Sequence, residues 1–229
     1  MKHLLIILGG ELVLTEPLES WLKEQSFDEI IAGDAGLEYA LKLGLHPDIA
    51  LGDFDSVSRS VLEEYVAEKG QTAVFPVRKD DTDSEIAVRM ALEKTEKGDR
   101  ITVLGGLGGR LDHTLGNLFL LVRIRQAGVR ALMTDGRTEV SVLLGGDEQK
   151  LEYRPFQKYV SLIPISERAE GIELKGFSYE GRELTLHREK TQGISNEVLP
   201  GGGRISLKEG IVLLIRTSDR EKEPGMNKN

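Results

Sequence analysis

The sequence predicts an α/β protein in which an N-terminal, Rossmann-like domain with a parallel sheet precedes a C-terminal antiparallel β-sandwich domain. Up to about residue 135, short apolar runs alternate with helical patterns, as in a parallel sheet that is covered on both faces. Beyond that point the segments are short, β-rich and separated by glycine and charged turns. We therefore expect domains at residues 1–140 and 141–219, followed by a flexible polar tail at 220–229.

The elements of the first domain follow from its apolar runs. The predicted strands are HLLIIL (3–8), EIIAG (29–33), DIALG (48–52), TAVFP (72–76), ITVLGG (101–106) and RALMT (130–134). The predicted helices between them are LEYALKLG (37–44), RSVLEEYVAEKG (59–70), DSEIAVRMALEKTEKG (83–98) and TLGNLFLLVRIRQAG (114–128). Several helical segments end on glycine, which is common just after a C-cap.

The second domain is predicted from short runs of alternating or β-branched residues. These runs are TEVSVLLGG (138–146), KYVSLIPI (158–165), GIELKGF (171–177), RELTLH (182–187), GRISL (203–207) and GIVLLIRT (210–217). No helical period of useful length occurs between residues 146 and 216. The whole segment is therefore interpreted as a small antiparallel sandwich or barrel.

Composition excludes several classes of protein. The net charge of −8 and the isoelectric point near 5.2 argue against a nucleic-acid binder. Cysteine is absent, which excludes disulfides and thiolate metal sites. The apolar N-terminal run is too short to span a bilayer and lacks a signal-peptide cleavage site, so it is interpreted as a first strand. We expect a cytoplasmic protein that does not bind membranes.

Four unusual loops each follow a predicted strand. They contain Asp34, the pair Asp53 and Asp55, the acidic segment RKDDTDSE (78–85) and the glycine-rich segment GGLGGRLDHTLGN (105–117). In a parallel sheet all strand-to-helix loops emerge at one edge, where ligands bind. The sequence therefore predicts that these loops converge on one site.

The acidic residues in these loops suggest a hard cation. Crowded carboxylates repel one another unless a cation neutralises them, and clusters of oxygen ligands suit Mg²⁺ with substrate phosphates. The four histidines show no zinc spacing. For each acidic loop a structural explanation also exists: Thr82 to Glu85 is a capping box with Asp83 facing the helix dipole, and DFDS (53–56) could be a cap and turn.

The glycine-rich loop complements the acidic residues. Glycines let backbone N–H groups approach an anion, and the following helix N-terminus adds its dipole. Arg110 is the expected phosphate contact because its guanidinium can bind two oxygens. Asp112 could cap the helix, hold Arg110 or bind a ribose. Asn117 and His113 lie at the start of the helix, where His113 could equally be a capping or packing residue.

One segment of the second domain, HREKTQGISNEV (187–198), contains candidate binding residues. Ser195 and Asn196 can donate and accept hydrogen bonds and could bind a small polar heterocycle; an ordinary hairpin turn is the alternative. Ser195 lacks the nucleophile-elbow pattern GxSxG and a nearby histidine, which excludes a serine hydrolase.

In order and spacing, five segments together resemble the bacterial thiamine pyrophosphokinase family. They are AGDAG (32–36), PDIALGDFDS (47–56), KDDTDSEIA (79–87), GGLGGRLDHTLGNL (105–118) and TQGISNE (191–197). The resemblance covers both domains, from about residue 30 to residue 216. The family pattern is closer to ADGG where this chain has GDAG, but Asp34 is retained.

The resemblance implies an ATP-dependent thiamine diphosphokinase that works with Mg²⁺ and releases AMP. It also implies a homodimer with the active site between subunits. Asp53, Asp55 and Asp83 would hold the metal, with Asp34 beside them at the pyrophosphate. The resemblance assigns catalysis to Asp53, Asp55, Asp83 and Arg110. It assigns nucleotide binding to Gly106, Arg110, Asp112 and Asn117. Ser195 and Asn196 would bind thiamine.

Three alternatives remain open from the sequence. The acceptor could be another heterocyclic alcohol such as a pterin. DFDSV resembles the nucleophile motif of a Mg²⁺-dependent haloacid-dehalogenase-like phosphatase, although that motif normally follows the first strand. The third alternative is a non-catalytic dimeric β-domain protein, against which the complete acidic set argues.

Overall fold

The structure, a computed structural model, describes residues 1–55, 57–68, 71–74 and 81–219. Asp80, the end of the predicted strand 72–76 and the predicted tail at 220–229 lie outside the described residues. The chain divides into two compact units, of which the first ends at Leu144 and the second begins at Gly145. None of the helices in the described ranges has the length and apolar character that a bilayer crossing requires.

The described part of the first unit contains a largely parallel sheet. Its strands are β1 (His3–Ile7), β2 (Glu29–Gly33), β3 (Ile49–Gly52), β4 (Gln71–Val74), β5 (Arg100–Leu104), β6 (Arg130–Thr134) and β7 (Glu139–Leu144). Their spatial order is β4-β3-β2-β1-β5-β6-β7, and only β7 is antiparallel to its neighbour β6. The predicted parallel sheet is confirmed.

The order of these strands reverses next to β1. Strand β1 pairs with β2 on one side and with β5 on the other. Ligands of open α/β sheets bind at such a switch point, outside the carboxyl ends of the strands. In this unit the switch point lies between the loops that follow β1 and β5.

In the described residues of the first unit, five helices connect these strands. They are α1 (Glu16–Glu24), α2 (Gly36–Lys42), α3 (Arg59–Ala67), α4 (Asp83–Glu93) and α5 (Leu111–Gln126). Helix α5 starts before the predicted segment 114–128, because Gly109 ends the loop in a left-handed conformation and the extended Arg110 takes the N-cap position. Apolar residues of β1 form the centre of the core: Leu5, Ile6 and Ile7 are fully buried.

The second unit is antiparallel. Its strands are β8 (Glu148–Leu151), β9 (Tyr159–Pro164), β10 (Arg168–Lys175), β11 (Gly181–His187), β12 (Asn196–Glu197), β13 (Gly203–Ser206) and β14 (Ile211–Thr217). One sheet has the order β11-β10-β13-β8, and a second antiparallel group has the order β14-β9-β12. The predicted fold class, α/β followed by an antiparallel β unit, is confirmed.

Three strands differ from the sequence interpretation. The segment 138–146 was assigned to the second domain, but β7 lies in the first unit because its backbone pairs with β6. Strands β8 and β12 were not predicted. Both are short, and β8 carries a single buried side chain, Leu151, so neither shows the alternation that marks a strand.

Candidate active site

Three carboxylates come together at the carboxyl ends of β2 and β3. Asp34 follows β2, and Asp53 and Asp55 follow β3. Each of the three can direct one oxygen so that all three oxygens lie within 4.8 Å of one another. Oxygen ligands at this spacing could hold one hard cation. The structure thus brings together three of the acidic residues that the sequence selected.

The backbone at this site adopts conformations that side chains rarely accept. Asp34 has a φ of 44° and Phe54 a φ of 58°, both in the left-handed region. The Asp34 N–H donates to the Leu51 carbonyl at 2.7 Å, which ties the end of β2 to β3. The Asp55 N–H donates to Oδ1 of Asp53 at 3.2 Å. The first bond holds the start of the Asp34 loop against β3, and the second stabilises the turn that carries Asp53 and Asp55.

The acidic segment after β4 contributes differently. Thr82 caps α4 by accepting the Glu85 N–H at 3.2 Å, so the predicted cap is present. Glu85 itself pairs with Arg123 at 3.2 Å, and Asp81 pairs with Arg89 at 2.5 Å. Asp83, in the first turn of α4, is not among the three grouped carboxylates.

Asp83 nevertheless lies beside the acidic site. A Cβ placed on Gly33, the residue before Asp34, would lie 3.9 Å from the Cβ of Asp83. Asp83 is therefore a near neighbour of the grouped carboxylates on the adjacent helix.

The loop after β1 joins the acidic and glycine-rich loops. A Cβ on Gly9 would lie 2.8 Å from the Cβ of Ala35, next to Asp34. The Gly10 N–H donates to the Gly105 carbonyl at 2.8 Å, and a Cβ on Gly10 would come within 2.4 Å of that oxygen. Both predicted loops therefore lie at the same edge of the sheet, on either side of the loop after β1.

The glycine-rich loop is built around left-handed glycines. Gly105, Gly108 and Gly109 have φ values of 64°, 76° and 64°. The buried Asn117 donates from Nδ2 to the Gly106 carbonyl at 2.8 Å. Thr114 donates from Oγ1 to the Gly108 carbonyl at 3.0 Å. Helix α5 thus holds the loop that precedes it through these two hydrogen bonds, and the Asn117 side chain stabilises that loop at Gly106.

Arg110 and Asp112 form a two-pronged ion pair at the start of α5. Arg110 donates from Nε to Oδ1 of Asp112 at 3.1 Å and from Nη2 to Oδ2 at 2.6 Å. This hydrogen-bonded pair lowers the pKa of Asp112 to about 2 and raises the pKa of Arg110. Both side chains are largely exposed, so phosphate oxygens can reach the guanidinium.

In the second unit, Ser195 and Asn196 lie at the start of β12. Ser195 has a φ of 62°, and its N–H donates to Oγ of Ser161 at 3.0 Å. Asn196 lines a largely apolar pocket of about 250 Å³ that is open to solvent. Its walls are formed mainly by aliphatic side chains of β9, β10, β11 and β13: Val160, Leu162, Ile172, Leu174, Leu184, Leu186 and Ile205.

Sequence reasoning missed two residues that contact these sites. Glu11 accepts the Gly109 N–H through Oε1 at 3.4 Å; the glycines of LGGE (8–11), directly after a buried strand, were the available signal. Tyr179 lines the pocket of the second unit and is 75% exposed. An aromatic residue inside the turn GFSYEG (176–181) was the available signal there.

A switch point that carries grouped carboxylates beside a glycine-rich loop is the arrangement of a nucleotide-dependent phosphotransferase of the α/β class. Two family models match the chain: "Thiamin pyrophosphokinase, catalytic domain" over residues 21–133 and "Thiamin pyrophosphokinase, vitamin B1 binding domain" over residues 148–212. The chain therefore belongs to the thiamine pyrophosphokinase family, a family of ATP-dependent diphosphotransferases.

Individual relatives agree with this assignment. The thiamine pyrophosphokinase of Bacillus subtilis (strain 168) is 33% identical over 221 residues, which are 96% of this chain and 100% of that protein. The crystal structure of thiamine pyrophosphokinase from Bacillus subtilis matches with a TM-score of 0.85 at 30% identity, over 96% of this chain and 100% of that one. The enzyme from Geobacillus thermodenitrificans matches with a TM-score of 0.79 at 32% identity, over 96% and 99%.

Proposed function

We propose that this chain transfers the diphosphate of ATP to the hydroxyl of thiamine, giving thiamine diphosphate and AMP. The observation that carries the proposal is the cluster of the Asp34, Asp53 and Asp55 carboxylates beside a glycine-rich loop, in a chain of the thiamine pyrophosphokinase family. The thiamine hydroxyl oxygen attacks the β-phosphorus, the bond from that phosphorus to the oxygen bridging the α-phosphate breaks, and AMP leaves. Such a reaction needs positioning and charge neutralisation more than covalent catalysis.

The three grouped carboxylates fit Mg²⁺. They offer only oxygen ligands, one from each residue, within 4.8 Å of one another. In this proposal Asp53 and Asp55 hold the ion with Asp34 beside them, and Asp83 approaches from α4. Bound Mg²⁺ would supply charge neutralisation for the phosphate oxygens. Asp83 is the proposed acceptor of the hydroxyl proton, because it lies next to the group without being one of its three members.

The glycine-rich loop is the proposed binding site for the nucleotide phosphates. Its left-handed glycines leave backbone groups accessible, and Arg110 supplies a guanidinium that can bind two oxygens. Asp112 holds this guanidinium in the free protein through two hydrogen bonds. Asn117 supports the loop from α5 by its bond to the Gly106 carbonyl.

Thiamine is proposed to bind at the second unit, where the vitamin B1 binding model matches residues 148–212. Ser195 and Asn196 lie in that range, and Asn196 lines the pocket. The match to this model favours thiamine over a pterin-type alcohol as the acceptor.

A homodimer with the active site between subunits is part of the proposal. Helix α5, which directly follows the glycine-rich loop, carries an apolar stripe of Leu111, Leu115 and Phe119, which are 71%, 49% and 60% exposed. Residues four apart lie on one helix face, and a face of this kind is typical of an interface. In this proposal a second copy of the chain covers the stripe, and the Ser195 segment of one copy completes the active site of the other. A cytoplasmic location, with its supply of ATP, suits this reaction.

The test is incubation of the purified protein with ATP, Mg²⁺ and thiamine, followed by separation of the nucleotides. We expect AMP and thiamine diphosphate in equal amounts. ADP or free phosphate as the product would refute a diphosphate transfer and would favour the phosphatase alternative. AMP formation with a pterin alcohol but not with thiamine would refute the assigned acceptor.

A further inference from the structure

The side chain of Asn196 is already engaged with another loop of the same unit. Its Nδ2 donates to the Tyr179 carbonyl at 2.8 Å, and its Oδ1 accepts the Tyr179 N–H at 3.0 Å. The same Oδ1 accepts the Glu197 N–H at 2.9 Å. A carboxamide has two donors and two acceptor sites, so three of the four are used inside the protein.

These bonds fix the orientation of the carboxamide. Its oxygen faces two N–H groups and its nitrogen faces a carbonyl, so the reversed orientation would leave all three contacts unsatisfied. The Asn196 side chain therefore pairs with both backbone groups of Tyr179, as a neighbouring strand would.

The pairing continues along the backbone. Ser178 donates its N–H to the Glu197 carbonyl at 2.9 Å, and Leu199 donates to the Gly176 carbonyl at 2.9 Å. Phe177 and Val198 form an isolated antiparallel bridge. Asn196 thus adds one further pair of bonds at the end of this short ladder, at the residue where the backbone pairing stops.

The residue held by these bonds is an exposed aromatic. Tyr179 is 75% exposed although both its backbone groups are bonded to Asn196, and it lines the same pocket. An aromatic ring offers a face to a flat, cationic heterocycle, and the two backbone bonds keep the residue that carries this ring beside the pocket. Thiamine carries two flat rings, and one of them is cationic.

We propose that Asn196 is a positioning residue whose effect on thiamine is transmitted through Tyr179: its carboxamide holds the Tyr179 segment so that the tyrosine ring lies at the mouth of the pocket. This inference rests on the proposed function and refines it, because Asn196, although it lines the pocket, acts on the substrate through the Tyr179 segment that it holds. Asparagine is required at this position because both a donor and an acceptor are used.

The test is a double-mutant cycle in the full-length enzyme, with wild-type thiamine turnover established first. Asn196→Asp keeps the size of the side chain, but the carboxylate has no donor and repels the Tyr179 carbonyl. Its added negative charge would by itself favour a cationic substrate, so a higher KM points to the lost clamp. We expect the KM for thiamine to rise about tenfold, the equivalent of one or two hydrogen bonds, with kcat and the KM for ATP within about twofold.

The cycle is completed with Tyr179→Ala. This variant should show the same rise in the KM for thiamine, and adding Asn196→Asp to it should raise that KM by no more than about twofold, because coupled residues are not additive. The matched control is Lys158→Gln, which breaks the exposed ion pair with the adjacent Glu197 and should leave every constant unchanged. Multiplied effects in the double variant, or a normal KM in Asn196→Asp, would overturn the proposal.

Amide hydrogen exchange of the wild-type protein supplies a second test that needs no variant. The Tyr179 N–H should exchange slowly despite the exposed side chain, because Asn196 accepts its hydrogen bond. Exchange at the rate of an open loop would contradict the clamp. An inactive wild-type enzyme with a protected Tyr179 amide would instead refute only the proposed function.

Discussion

At the scale of single residues, the acidic site is shaped by the left-handed backbone conformation of Asp34 and Phe54. Such conformations cost about 1–3 kcal/mol each and persist where the surrounding structure fixes them. Here the hydrogen bond from Asp34 to Leu51 provides that constraint. At this scale the carboxylates are directed by their backbone, and substitution of one should alter chemistry more than folding.

Asp53→Ala or Asp55→Ala should lower turnover by about a hundredfold or more, since electrostatic groups aimed at the reacting phosphates contribute on that order. The free energy of unfolding without metal should change little, because removing one carboxylate relieves repulsion. The measurements are steady-state AMP formation and urea unfolding. Added Mg²⁺ should raise the melting temperature of the wild type and not that of either variant.

Asp81→Ala is the matched control for these two variants. Asp81 is acidic and lies in the neighbouring segment, but it pairs with Arg89 and is not in the carboxylate group. It should retain most of the turnover. Near-normal activity in Asp53→Ala or Asp55→Ala would show that the substituted residue does not hold the metal.

His3 is a residue whose effect depends on pH. Its ring packs against Trp21 and Phe27 and is hydrogen-bonded to Oγ1 of Thr102 at 2.9 Å, and burial lowers its pKa from 6.5 to about 4. The unfolded chain therefore binds a proton between pH 6.5 and 4 that the folded chain does not. The stabilisation is complete above pH 6.5 and is lost as the pH falls towards 4.

Lowering the pH from 7 to 5 should cost the wild type about 1 kcal/mol through this histidine, because partial exposure screens the effect. His3→Gln cannot titrate, and its free energy of unfolding should fall less over the same range in urea titrations. Parallel losses in His3→Gln and the wild type would show that His3 is not responsible.

At the scale of secondary-structure elements, the N-termini of two helices position residues of the proposed active site. Helix α4 begins at Asp83 because Thr82 accepts the Glu85 N–H, and α5 begins at Leu111 directly after the glycine-rich loop. Two of the proposed site residues, Asp83 and Arg110, therefore depend on where a helix starts. A change in an N-cap should affect stability and catalysis together.

Thr82→Ala should lower the free energy of unfolding by about 1 kcal/mol, the usual contribution of an N-cap. It should also reduce kcat severalfold, because Asp83 would lose its fixed position in the first turn. Thr82→Ser retains the capping oxygen and should restore both quantities. If Thr82→Ala loses stability but keeps its kcat, Asp83 has no positional role in catalysis.

At the scale of the whole molecule, the first unit leaves an apolar helix face uncovered. Phe119→Asp should convert the proposed dimer to monomers in light scattering and lower turnover strongly, while the circular dichroism spectrum stays unchanged. Gln126→Asp introduces the same side chain at another exposed position of α5 and should leave the dimer intact. A dimeric, active Phe119→Asp enzyme would locate the interface elsewhere.

The sequence was sufficient to predict most of the helices and strands, but not the contacts between them. The bounds of β2 and β6 match the predicted segments, since apolar runs between turns are local signals. The convergence of Asp34, Asp53 and Asp55 was predicted from a general rule about parallel sheets. The clamp between Asn196 and Tyr179 was not predictable, because it joins a residue of β12 to the turn between β10 and β11, and only tertiary pairing brings these two segments together.

The position of β1 between β2 and β5 has a consequence for how the active site is assembled during protein synthesis. The strands β2 and β3 and the loops that carry Asp34, Asp53 and Asp55 are complete by residue 55. The glycine-rich loop, which accepts a hydrogen bond from Gly10, follows β5 and begins only at Gly105. A nascent chain can therefore pair β1, β2 and β3 before the second half of the first unit has left the ribosome. We expect the carboxylate group to form as an early local structure, and the nucleotide loop to close against it only once β5 emerges.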